Sequence, residues 1–539
     1  MKLNFLKYMA PAAVALGLGL GAASCADDLN QSSIDPQTES AANQDGYYAK
    51  IYGLLVLSGQ QGATDKADIS DDPGKNPFFR RMWEQQEFPT DECLWAWQND
   101  PGQPEFLNFG WGSQHLFTRM LYNRIGYNIT HCNFFLDLYK NNEDEKSVRQ
   151  CAEVRFFRAM YYQYFLDFFG KAPFKDTFNK DKPKEIVGKD LFNYIESEYK
   201  DVIAQLPEAD PTGQYFGRVN KVAAYIMLAR LYLNAKTYTG EAKWAEAVEW
   251  STKAIESGYS LSTAASTGGF SGYQQLFMGD NDSNPEAMKE IVLPIRQDGT
   301  KTKTYGGTWT IISSCYASGC QNFYGTNDAW TCIRARAQVA DFYFDKREDV
   351  PMTDGRYDIA TAAGDDRALL YGGDGRKIET EKIGTITNGL AIIKWTNEHS
   401  DGTGTQYAHD PNLPDTDIPF LRLAEAYLTR AEANWRNGAD EQTVLADVNE
   451  LRDRAHARRW IGSDLTDMNF VKEWGREFYL EGRRRTDLRR FDMFTTNKYL
   501  WEWKGGVYEG TGVASYCNLF PIPQTDITNN RNMHQNDGY

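Results

Sequence analysis

The sequence predicts a mostly α-helical protein, a frame of tetratricopeptide-like helical repeats carrying inserted loops and small β elements. Three observations support this. A long helix near residue 160 is apolar almost all round, helices after it come in pairs with small residues at their contacts, and a loop-rich stretch interrupts the pairs.

The chain opens with Lys2 and Lys7, an apolar run from Ala12 to Leu20, and the small residues Gly21-Ala22-Ala23-Ser24 before Cys25. That apolar run is too short to span a bilayer and reads as an export signal over residues 1–24. A cysteine directly after the small residues predicts a bacterial lipoprotein with the lipid on Cys25. Several acyl chains on one residue give stable membrane contact, about 0.8 kcal/mol per buried methylene. Residues 25–45, rich in Ser, Gln and Asp, read as a flexible tether. The remainder, 46–539, is expected to form one domain.

Within it, Ala152 to Gly170 predicts a helix packed on two sides and stopped by glycine. Asp190 to Leu206 is amphipathic and ends at Pro207. Asn220 to Ala235 and Lys243 to Ser257 follow as a third and a fourth helix. The pairing recurs at Leu421 to Trp435 and Glu441 to Ala455, where Ala424, Ala426, Ala431 and Ala433 allow close packing. The helical repeats are thus placed at about 110–257 and 419–457, with irregular spacing.

Between about 261 and 417, Gly, Asp and Thr become frequent and apolar runs shorten to Glu290–Ile295 and Ala391–Trp395. Asp374-Gly375 predicts a hairpin joining Ala368–Tyr371 to Lys377–Thr380. Loops on a rigid frame are where binding residues gather, so this insertion is expected to carry ligand contacts.

The stretch Pro89 to Asp100 sets Trp95 and Trp97 two residues apart among Glu92, Gln98, Asn99 and Asp100. If extended, it points both indoles to one side, a flat apolar plate with a polar edge. A sugar ring needs that surface, since its CH face packs on an aromatic ring and its hydroxyls need polar partners. Without the polar edge, two tryptophans are equally ordinary core.

A net charge of −16, made two units more negative by loss of the leader, argues against nucleic acid as a partner. No HExxH, GxSxG or GxxxxGK[ST] occurs, and the six histidines share no ligand-like spacing. The chain reads as non-catalytic, although a pair of glycosidase carboxylates can be far apart in sequence. Seven cysteines beyond Cys25, without a CxxC, exclude a disulfide framework, leaving at most a Cys315–Cys320 pair. In Glu477 to Arg490, i,i+4 spacing predicts Glu481–Arg485 and Arg483–Asp487 ion pairs on a helix. Asp280-Asn281-Asp282 and Asp415-Thr416-Asp417 offer oxygens suited to a hard cation, or solvated turns.

Arg155-Phe-Phe-Arg-Ala159, the run Asp417 to Ala433, Glu477 to Arg485, Phe520-Pro-Ile-Pro523 and the ending Gln535 to Tyr539 resemble the SusD/RagB family of Bacteroidetes surface glycan-binding lipoproteins. Pro89 to Gln98, Pro294 to Gly299, Tyr305-Gly-Gly307 and Phe494 to Gly506 are similar to its starch-binding members. The resemblance implies outer-membrane location facing the cell exterior, and a SusC-like, TonB-dependent outer-membrane transporter as partner. It also implies non-catalytic binding of starch and malto-oligosaccharides by an arc of Trp95, Trp97, Tyr305 and Trp330, with Asp72 and Arg80 bonding hydroxyls. The family's asparagine falls on Asp100 here, with Asn99 one residue earlier; either can serve. Calcium held by Asp282, Asp415 and Asp417 is implied as well. The alternatives are a lid for a transporter of another glycan and, third, a glycoside hydrolase.

Overall fold

A computed structural model of the chain describes residues 43–59, 67–69 and 74–539. The leader, Cys25, most of the tether and Asp72 lie outside the described residues. The chain divides into two units, Met1–Tyr47 and Tyr48–Tyr539. Of the first, residues 43–47 are described and hold the start of a helix, Gln44–Gly53. Everything below concerns the second.

Helix α1 (Phe78–Glu87) is buried along its whole length and leads to strand β1 (Cys93–Trp95). A long hairpin follows, α2 (Leu116–Tyr139) packed on α3 (Glu145–Phe169). Asp144 caps α3 by accepting the Ser147 amide at 3.0 Å, so the helix begins at Glu145, seven residues before the expected start. Gly170 stops it at φ 68°, and a Cβ there would lie 2.9 Å from Leu519 Cδ1. The all-round apolarity of α3 has its reason in this setting: Phe156, Phe157, Phe165, Phe168 and Phe169 are all buried.

The hairpin β2 (Lys171–Phe174) and β3 (Lys184–Val187) precedes α4 (Gly188–Val202), α5 (Lys221–Leu233) and α6 (Trp244–Ile255). Asn220 caps α5 through the amides of Val222 and Ala223, at 3.0 and 3.1 Å. The insertion then leaves the frame. It holds β4 (Ile291–Ile295), α7 (Thr308–Cys315), β5 (Ile333–Ala335), β6 (Leu370–Tyr371) and β7 (Ala391–Ile392). Strand β8 (Ile418–Arg422) returns antiparallel to β4 and closes its base. Next, α8 (Ala424–Arg436) packs on both α6 and α9 (Glu441–Arg454), so the repeat stack continues across the insertion as one frame. Arg230 on α5 reaches Glu425 on α8 at 2.6 Å, and Arg430 on α8 reaches Asp447 on α9 at 2.6 Å. Helices α10 (Asp467–Phe478) and α11 (Arg484–Arg490) complete the packing.

Four expectations need correction. Leu421 and Arg422, assigned to a helix, belong to β8, because pairing with Leu293 and Ile291 overrides local helix propensity. Asp374 and Gly375 do turn the chain with positive φ, but β6 pairs with the distant β7 and not with 377–380. Arg483 pairs with Asp487 at 2.9 Å as expected, but Glu481 pairs with Lys394 and Arg422, and Arg485 with Asp167. Left-handed residues Leu480 and Gly482 delay the helix until Arg484, so Glu481 is not on it. Cys315 and Cys320 are unpaired, as are the other described cysteines, all buried.

Candidate functional site

Strand β1 pairs antiparallel with β5, from Cys93 opposite Ala335 to Trp95 opposite Ile333, and the Ala96 amide extends the ladder to the Cys332 carbonyl at 2.7 Å. Beyond Ala96 the chain turns, with the Asp100 amide bonded to the Trp97 carbonyl at 3.2 Å. Extension therefore ends before Trp97. The two indoles stand at 83° with centroids 5.9 Å apart, so they form a step and not the flat plate expected. Trp95 is 5% exposed and Trp97 41%.

The segment bearing Trp330 is seated on the end of α7. The Ser313 carbonyl accepts the amides of Trp330 (2.7 Å) and Thr331 (3.2 Å), and Ser314 accepts that of Cys332 (2.9 Å). These are the carbonyls that a helix C-terminus leaves without partners of its own. Thr331 makes the bend at φ 55°. Tyr305 sits just before α7, and Trp309 is on its first turn.

These elements gather five rings into one array. Trp97 and Trp330 face outward with centroids 6.1 Å apart and a 39° tilt. Trp95 stands nearly perpendicular beneath both. Trp309 lies edge-on to Trp330 at 4.7 Å and 4.4 Å from Tyr305. The pattern repeats twice: a buried indole supports an exposed or half-buried ring, and a carboxylate from a nearby loop accepts its N–H. Trp95 Nε1 donates to Asp100 Oδ2 at 3.2 Å, and Trp309 Nε1 to Asp328 Oδ2 at 2.8 Å. Edge-to-face aromatic contacts of this kind contribute about 0.5–1.5 kcal/mol each.

Trp309 and Asp328 were not among the residues singled out above. The available signal was the four-residue spacing of Tyr305 and Trp309 across a Gly-Gly pair.

The polar groups divide into committed and free. Arg80 on α1 holds its guanidinium 5.3 Å from the Trp330 ring centroid, donating from Nε to Glu84 and from Nη1 to the Gly74 and Tyr305 carbonyls. Its Nη2 makes no hydrogen bond among the described residues, leaving one donor beside the rings. Asp100 is occupied in part by Trp95, whereas Asn99 is exposed and its side-chain amide has no partner among the described residues.

The expected calcium aspartates line or adjoin a cavity of about 330 Å³ at the base of the insertion. Arg296 reaches Asp282 at 2.6 Å and Asp417 at 2.9 Å, so a guanidinium lies between those two carboxylates. Burial pushes the Asp417 carboxyl well above the ordinary carboxylate range, against the pull of Arg296. Asp415 instead accepts the Gly299 amide at 2.9 Å and pairs with His409 at 3.0 Å, which raises the imidazole pKa. Among the described residues, the three metal-ligating groups with atoms mutually within 4.8 Å are Asp298, His409 and Asp415. Calcium prefers six to eight oxygens, and as arranged the three aspartates do not fit it while Arg296 stays between them.

Comparison with known proteins places this architecture. The SusD family profile matches residues 370–539, and a profile described as starch-binding, associating with outer membrane, matches 90–233. The chain belongs to the SusD/RagB family. Starch-binding protein SusD of Bacteroides thetaiotaomicron is 46% identical over 568 aligned positions, which cover 100% of each chain. Among solved structures, a SusD-like protein of Bacteroides fragilis superimposes with a TM-score of 0.67 at 18% identity, over 94% of this chain and 99% of that one. Surface glycan-binding protein A of Bacteroides thetaiotaomicron, solved with laminarihexaose, gives 0.64 at 16% identity, over 92% and 99%. At such identities these structures establish the fold.

Proposed function

We propose that the protein is a non-catalytic binding protein for starch and malto-oligosaccharides, held at the outer membrane. The observation that carries this reading is the array of Trp97, Trp330 and Tyr305 mounted on the buried Trp95 and Trp309. Rings tilted against one another suit the curved face of an α-1,4-glucan better than a flat chain. Because the supporting indoles are buried and hydrogen-bonded, the outer rings lose little freedom on binding, the main benefit of preorganisation. Arg80 Nη2 and the Asn99 amide are the donors proposed for hydroxyls, with Asp100 holding Trp95; Asp72, outside the described residues, is proposed as a hydroxyl partner on the resemblance alone.

The finer parts of the proposal rest on sequence: a lipid on Cys25, exposure to the cell exterior, and delivery of glucan to a SusC-like, TonB-dependent transporter. Among the described residues no helix is long and apolar enough to cross a membrane.

Calcium at Asp282, Asp415 and Asp417 is proposed on one condition, that Arg296 swings away. Its side chain is 48% exposed, so solvent can receive it. Arg296→Gln removes the competing cation, and calcium is expected to raise Tm more in this variant than in the wild type. No calcium-dependent shift in either protein would end the calcium proposal.

The test of function is calorimetric titration of the purified protein with maltoheptaose, a cyclodextrin and a β-linked glucan. Heat with the two α-glucans alone is expected. Silence with all three would transfer the function to another glycan.

A further inference from the structure

Helix α7 carries Trp309 of the array on its first turn, with Tyr305 just before it; the segment bearing Trp330 is seated on its C-terminal carbonyls, and Tyr316 follows its C-terminal end. Its eight residues span about 12 Å. Tyr316 opens onto a second cavity of about 450 Å³, separate from the array, lined also by Gln321, Asn322, Thr326, Asn327 and Glu398. Asn327 is three residues before Trp330, so their Cα atoms are at most about 11 Å apart.

This cleft repeats the construction of the array on a smaller scale. Half-buried Tyr316 stacks on fully buried Tyr324, with centroids 5.2 Å apart and planes 27° from parallel. The Tyr324 hydroxyl donates to the Cys315 carbonyl at 2.8 Å, which fixes the lower ring. The side-chain amides of Gln321, Asn322 and Asn327 are exposed, and none has a hydrogen-bond partner among the described residues. Backbone contacts hold their positions: the Asn327 amide bonds Pro411 at 2.8 Å, and the Asn397 amide bonds Tyr324 at 2.9 Å. Glu398 pairs with Arg356 through Oε2, leaving Oε1 without a donor. Thr326 Oγ1 is buried without a partner at the same wall. One apolar ring face, three free amides and a carboxylate oxygen match the CH face and vicinal hydroxyls of a neutral hexose.

We infer that the Tyr316 cleft is an extension subsite, binding sugars of an α-glucan that continues past the Trp97–Trp330–Tyr305 array along α7. The inference rests on the starch-binding reading above. A linear chain long enough to pass the array reaches the cleft, whereas a closed cyclodextrin seated on the array does not.

The experiment compares maltoheptaose with α-cyclodextrin by calorimetry, on the wild type, Tyr316→Ala and the double variant Asn322→Ala/Asn327→Ala, with Tm measured for each. Both variants are expected to bind cyclodextrin as the wild type does. Each should bind maltoheptaose about fivefold to tenfold more weakly, the effect of losing a ring contact or one to two hydrogen bonds. Unchanged maltoheptaose affinity, or an equal loss for both ligands, would overturn the subsite and leave the array intact as a reading. A wild type that binds neither ligand would overturn the starch-binding reading and this inference together.

Discussion

Trp309 shows how a buried residue sets the arrangement of an exposed ring surface. It is 3% exposed, yet it supports Trp330 on one side and Tyr305 on the other. Its orientation depends on Asp328, which accepts the indole N–H. Asp328→Asn retains an oxygen acceptor and should leave α-glucan affinity within about twofold, whereas Asp328→Ala leaves a buried N–H unpaired and should weaken it about fivefold. Calorimetry on the two variants separates the cases, and equal affinities would remove Asp328 as an orienting group. Asp100 holds the same position toward Trp95. This gives the acid a structural reason to stand where the family's asparagine is expected, while the Asn99 side-chain amide has no partner among the described residues.

At the scale of elements, β1 depends on a buried carboxyl pair. Glu87 at the end of α1 accepts the Gly482 and Arg483 amides at 2.6 and 3.1 Å, and Glu92 accepts that of Leu480 at 2.7 Å. Both are fully buried, and the two carboxyls interact with each other. Burial raises both, Glu87 up to about 7 and Glu92 well above the ordinary carboxylate range, with the charge of Glu87 as the second cause for Glu92. The native state therefore binds more protons than the unfolded chain. The stability this contributes is complete below the ordinary carboxylate range and is lost as pH rises through 7. Glu87→Gln keeps the neutral hydrogen-bonding form. The Tm of this variant should gain on that of the wild type between pH 5 and pH 8; a constant gap would show that the pair does not hold an extra proton. Element-scale reasoning also explains the hairpin error. Asp374-Gly375 specified its turn locally, but β6 found a better partner in β7, which no local signal reveals.

Across the whole molecule, the returning insertion is fastened to the helical frame by buried charge. Glu477 on α10 accepts Arg422 at 2.6 Å and Arg367 at 3.0 Å, and also pairs with Arg454. Arg422 further binds Glu290 and Glu481. These arginines hold the Glu477 carboxyl far below the ordinary carboxylate range despite burial, and Arg367, Arg452 and Arg476 hold Glu473 beside it at about 2. A depressed pKa contributes stability above the ordinary carboxylate range, lost as pH falls through the native value. Glu477→Gln leaves three arginines with a neutral partner and should cost about 3–5 kcal/mol, read by denaturant unfolding at pH 7. A loss under about 1 kcal/mol, the range of exposed pairs, would show the network to be dispensable. The arginine-rich segment was rightly read as structural, although only the Arg483–Asp487 pair could be placed by spacing. Its other partners include residues of β8, α3, α8, α9 and the insertion, and Asp91 just before β1.

Amino-acid order alone determined the helical frame, because amphipathic periods, the Asn220 cap and the Gly170 stop act within a few residues. It also marked Trp95, Trp97, Tyr305 and Trp330 through resemblance, and the mature chain's acidity from composition. Tertiary structure decided which rings face outward. Burial of Trp95 and Trp309, the turn that separates Trp97 from β1, and the seating of Trp330 on α7 all depend on contacts between residues more than a dozen positions apart or on a local break in extension. It likewise placed Arg296 between Asp282 and Asp417. The acidic spacing was visible in the sequence, but the cation that meets it comes from a strand end that only folding brings near.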